Sequence, residues 1–164
     1  MTPPSPTIEE LVGRVEAATG PDRELDGAIA LAVGGWHRDW LDEGRNPHHM
    51  PDWYWWHTDD HPHQATDAHP RYTSSIDAAL ALAERVLPGY RWGVSQAGIR
   101  TGKHPDGKHP DGKTAYSDGF KAHVTEASPL RPMPTIAEAR TAPLAIILAT
   151  LRSLRIKGDH NDEA

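Results

Sequence analysis

The chain has 164 residues, enough for one domain of ordinary size and too short for a multidomain enzyme. It is 37% apolar and 24% charged, with 15 Pro and 14 Gly, which predicts ordered elements separated by long loops. The formal net charge of −6 argues against bulk nucleic-acid binding. That charge is uneven: residues 1–87 carry 6 basic and 15 acidic side chains, residues 88–164 carry 11 and 8, so an anionic ligand would favour the second half. Eleven histidines make the surface potential sensitive to acid, and the lack of cysteine removes disulfides, thiolate zinc sites and thiol catalysis. No basic-then-apolar leader opens the sequence, and the apolar run Ala142 to Ile156 is too interrupted to span a bilayer. A cytoplasmic protein is the expectation, in the host cytoplasm if phage-encoded.

In chain order, residues 1–6 read as a disordered, proline-rich lead. Ile8, Leu11, Val12 and Val15 then share one helical face over 8–18, opened by a Thr7/Glu10 capping box and stopped at Gly20-Pro21. A second helix after Asp22 aligns Leu25, Ala28, Ile29, Ala32 and Val33 and ends at Gly34-Gly35. Trp53-Tyr54-Trp55-Trp56 reads as a strand, and His57 to Pro70 as loop. Ser74 with Asp77 caps a third helix whose stripe is Ile76, Ala79, Leu80, Ala83, Val86 and Leu87, closed by Pro88-Gly89.

Two alternating segments follow, Tyr90-Trp92-Val94 and Phe120-Ala122-Val124, which predict half-buried strands able to pair antiparallel. Between them, residues 96–119 hold a tandem KHPDG duplication, 103–107 and 108–112, which predicts an exposed, mobile loop rich in turns. A fourth helix opens near Thr141-Ala142-Pro143 and buries Leu144, Ile147, Leu148, Leu151 and Leu154, with Arg152, Arg155 and Lys157 at its negative end. Residues 158–164 read as a disordered tail. The expected fold is α+β, one domain over 7–157, with a small antiparallel sheet of about three strands sandwiched between helices in the order ααβαββα.

Several of these blocks point to a family. Arg23-Glu-Leu-Asp26, the run Pro70-Arg-Tyr-Thr-Ser-Ser-Ile-Asp-Ala-Ala-Leu80, the Trp92 strand and Thr141-Ala-Pro-Leu-Ala145 resemble small phage and prophage proteins of the ABA-sandwich domain family, over roughly residues 7–156. The resemblance implies an α/β/α sandwich and a phage or prophage origin, and it implies no catalytic residue. The KHPDG duplication and the His57–His69 loop depart from that pattern.

Two constellations could carry function. His57, Asp59, His61 and His63 are ligand types suited to zinc or manganese, so a small metal-dependent hydrolase or nuclease is one reading, although the surrounding prolines favour an extended solvated loop. The second is aromatic and basic. Trp36, Trp40 and Trp56 serve as candidate surface anchors, Trp53 and Trp55 as core, and Arg91, Arg100, Lys103 and Lys108 supply positive charge, which together suit stacking of a base and neutralisation of phosphate.

No phosphate loop or nucleophile elbow is present: the glycine and lysine spacing at 102–108 lacks a following Ser or Thr. Arg23 and Asp26 read as a pair or cap, and Glu9, Glu10 and Glu16 as a solvated helix face. The leading expectation is a non-enzymatic phage or prophage accessory protein, without a cofactor, that binds a nucleotide-type small molecule or a host protein; the same reading allows a homo-oligomer and the sequestration of a defence signal. A phage structural or assembly role is the third reading.

Overall fold

The computed structural model describes residues 5–40, 53–57, 69–100, 116–126 and 134–161. Four helices and five strands follow in order: α1 (Ile8–Ala17), α2 (Arg23–Ala32), β1 (Trp36–Trp40), β2 (Trp53–His57), α3 (Ile76–Val86), β3 (Tyr90–Arg100), β4 (Tyr116–Glu126), β5 (Thr135–Ala139) and α4 (Ala142–Asn161). The α+β class agrees with expectation, and the order ααβαββα is kept with β1 and β5 added. The expected disordered segments at 1–4 and 162–164 lie outside the described residues, whereas 158–161 belong to α4.

Local chemistry explains the helix boundaries. Thr7 Oγ1 accepts the Glu10 N–H at 3.2 Å while the Glu10 carboxylate accepts the Thr7 N–H at 2.7 Å, the reciprocal box expected, and these bonds hold the Glu10 pKa below its ordinary value. Asp22 caps α2 by accepting the Leu25 N–H. At α3 the cap is Ser75, one residue later than expected, because the Ser74 N–H closes a turn onto the Arg71 carbonyl. The α3 face is rotated too. Ala79, Leu82, Ala83 and Leu87 are buried, whereas Ile76 is 48% exposed and Leu80 and Val86 are only half-buried.

β3, β4 and β5 form one antiparallel sheet in that order, and Trp92 faces Val124 and Val94 faces Ala122 across the first pair. Both hairpin strands are eleven residues long. Residues 96–100 and 116–119, expected as loop, therefore belong to the ladder, because continuous cross-strand pairing overrides the turn propensity of Gly98 and Gly119. The rest of that expected loop, 101–115, lies outside the described residues. β2 does not join this sheet. It pairs with β1 as a separate two-stranded ribbon.

The helix α4 is buried on every side from Ala142 to Leu151, so its apolar positions form no single stripe. It packs against the sheet and also against α1 and α3. Thus α4, rather than the sheet, lies between two layers. The Thr150 and Ser153 hydroxyls inside this layer are satisfied by donating to the carbonyls four residues back.

The helix also runs past the expected end at 157, so Arg152 and Arg155 lie well before its terminus. They pair with Glu16 and Glu9 of α1, each at 2.7 Å, so those two glutamates clamp α1 to α4. On the far face of the sheet Arg91, Ser95, His123, Ile136 and Glu138 are exposed, and no helix among the described residues covers them. No helix among those residues is long and apolar enough to cross a membrane.

Candidate functional site

The tryptophan-rich segment is organised by the β1–β2 ribbon. Its register sets Trp36 opposite His57, His37 opposite Trp56, Arg38 opposite Trp55, Asp39 opposite Tyr54 and Trp40 opposite Trp53. Strand alternation then gathers Trp36, Arg38, Trp40, Trp53, Trp55 and His57 on one face and His37, Asp39, Tyr54 and Trp56 on the other. Four of the six tryptophans share a face. Trp56 is separated from Trp36 and Trp40, with which the sequence grouped it, because it is the register partner of His37. Arg38, which sequence reasoning passed over, stands in register with Trp55; the alternation of Trp36, Arg38 and Trp40 was its signal.

The ribbon is anchored at Trp36, which is half-buried against the core. Beneath it lies a polar knot joining α2 to the segment before α3. Asp26 Oδ1 accepts the Thr73 N–H at 2.6 Å, and Asp26 Oδ2 accepts from Arg23 at 3.1 Å. Arg23 also donates to the His69 and Pro70 carbonyls, and Thr73 Oγ1 accepts the Asp22 N–H at 2.9 Å while donating to the Asp22 carbonyl.

Tyr72 is 2% exposed at this knot. Burial pushes its hydroxyl above the ordinary tyrosine pKa, and the neighbouring Arg85 and Trp36 pull it part of the way back. Arg23, Asp26, Tyr72 and Thr73 come from the blocks at 23–26 and 70–80 of the sequence. Their spacing here fits a structural lock, since Asp26 is compensated and has no open side toward a ligand.

Among the described residues the two basic candidates, Arg91 and Arg100, do not converge. Arg91 and Arg100 stand nine residues apart on β3, about 30 Å along a strand, and on opposite faces. Arg91 is exposed at the open face of the sheet, and Lys103 and Lys108 lie outside the described residues. Of the metal candidates, His57 ends β2 opposite Trp36, whereas Asp59, His61 and His63 lie outside the described residues. Among the described residues no three His, Asp or Glu side chains gather as a metal cage. Comparison with family models, with curated proteins and with solved structures finds no match to this chain.

Proposed function

We propose that this chain is a non-catalytic binding protein whose recognition surface is the tryptophan face of the β1–β2 ribbon, and that its ligand is a nucleotide-type small molecule. The observation that supports this is the register, which sets Trp40 across from Trp53 and Arg38 across from Trp55 on a single face. Indole π-faces accept any base, and a guanidinium in the same row supplies the charge that a phosphate needs. The likeness to small phage proteins adds a setting, in which a phage or prophage accessory protein counters host defence by holding such a signal.

The test is a panel of cyclic and linear nucleotides, read by tryptophan fluorescence and thermal shift, with divalent metal and chelator as separate arms. Ligand at about 100 times its Kd stabilises by about 2.7 kcal/mol. Trp55→Ala should weaken binding about tenfold or more, the loss of one stacked base, while Trp56→Ala on the opposite face leaves it unchanged. Absence of a shift with every nucleotide overturns the ligand class and directs the search to a host protein; a shift with metal alone favours the hydrolase reading.

A further inference from the structure

The two outer edges of the three-stranded sheet are unequal. β5 is short, five residues, and its Ile136 carbonyl accepts from Arg152 at 3.0 Å while Glu16 holds the same guanidinium. β3 is eleven residues long and pairs with β4 through eleven consecutive positions without a bulge, and among the described residues no strand lies on its other side. An antiparallel strand gives one neighbour only half of its N–H and C=O groups, so the other half of β3 is turned outward as a template for pairing. The usual devices that refuse an incoming strand are missing from it. Tyr90–Arg100 contains no proline and no lysine, the stretch from Trp92 to Ile99 is uncharged, and Val94 in its middle is 40% exposed.

We propose that β3 pairs antiparallel with β3 of a second copy of this chain, about a two-fold axis at Ser95, making one continuous six-stranded sheet. The sequence of β3 is complementary to itself in that register. Each Arg100 position meets Tyr90 of the other copy and each Arg91 meets Ile99, so no two arginines oppose one another and one of them meets an aromatic ring. A slip of one residue would set Arg91 against Arg100 and face like charges across the pair.

The assembly also closes. Once both β3 edges are used, the outer strands are the two short β5 edges, each engaged by Arg152, so pairing stops at two copies and does not grow into a fibre. This inference stands on the sheet and is independent of the ribbon.

The test uses the full chain, whose 18.0 kDa mass and lack of cysteine are both convenient. Sedimentation equilibrium or light scattering over a wide dilution range should give twice the chain mass at the concentrated end. In the proposed register the two Ser95 Cα atoms lie about 4.5–5.5 Å apart, within disulfide reach, so S95C should cross-link to a dimer under mild oxidation while E138C, on β5, stays monomeric. Val94→Lys should weaken the dimer by about tenfold or more, with circular dichroism and thermal midpoint confirming that the fold survives. A monomer mass at every concentration overturns the proposal, and so does S95C cross-linking no better than E138C. If V94K prevents folding, the exposed-site cysteine pair still decides.

Discussion

The Asp26 carboxylate, 1% exposed on α2, accepts the backbone N–H of Thr73 at 2.6 Å across 47 residues of sequence. With Arg23 on its second oxygen and Thr73 bonded in both directions to Asp22, it fixes the segment before α3 against the start of α2. A buried carboxylate so engaged is costly to remove, since its loss strands the buried Thr73 N–H donor, while Arg23, half exposed, keeps its two carbonyl partners. Asp26→Ala should therefore destabilise the protein by about 1–3 kcal/mol, and Asp26→Asn, which keeps an acceptor for Thr73, by less. Urea unfolding followed by circular dichroism measures both; equal and small losses would show that the knot contributes little.

Tyr72 gives the fold an alkaline limit. Burial raises its pKa in the folded state above the unfolded value near 10, so the folded protein holds this proton more tightly. The stabilisation is fully present below the unfolded pKa and is lost as pH rises through the folded one. Tyr90 is displaced the same way, first by burial and then by Glu126. Unfolding midpoints should thus fall above about pH 10, and Tyr72→Phe should flatten that fall. A spectrophotometric tyrosine titration checks it directly, since one late-titrating phenol should vanish in the variant.

Helices α1 and α2 are legible in the sequence because their caps and their apolar spacing agree, Thr7 with Glu10 and Asp22 with Leu25. The face of α3 is less so: Ile76 and Leu82 are equally apolar, and only the position of α4 decides which is covered. β1 and β5 carry weak signals, because Trp36–Trp40 holds three polar residues in the middle and Thr135–Ala139 is short and alanine-rich. Both exist through pairing with a longer or more aromatic neighbour. The tryptophan ribbon was legible in composition but not in register, which a chain of residues cannot express until its partner strand is known. The polar knot was half legible, since Arg23 and Asp26 are near neighbours on one helix while Thr73 is distant.

Two glycines make opposite demands. A Cβ at Gly34 would stand 2.7 Å from both the Cα and the carbonyl oxygen of Ala30, backbone atoms of α2 that cannot yield. At Gly93 the Cβ would instead fall on the ring of His123, an exposed side chain that can rotate away. Gly34→Ala should cost about 2 kcal/mol or more, whereas Gly93→Ala, in a strand where glycine is entropically unfavourable, should change stability by less than about 1 kcal/mol. Thermal midpoints rank the pair. The His123 imidazole resonances should move only in the Gly93 variant, reporting the displaced ring.

Trp92 poses the last question, because its large ring packs on the core while its indole N–H is buried with no hydrogen-bond partner among the described residues. A buried donor left unsatisfied costs about 1–3 kcal/mol, which offsets part of what the ring contributes. Trp92→Phe removes the donor and keeps most of the apolar surface, so its net effect should fall within about 1 kcal/mol of zero and can be stabilising. Trp92→Ala removes the ring as well and opens a cavity beside Val124, at a cost of about 3–5 kcal/mol. Denaturant midpoints of the two variants separate the contributions. If Trp92→Phe is as damaging as Trp92→Ala, the indole nitrogen has a partner in solution, and water or the second copy paired along β3 would be the place to look for it.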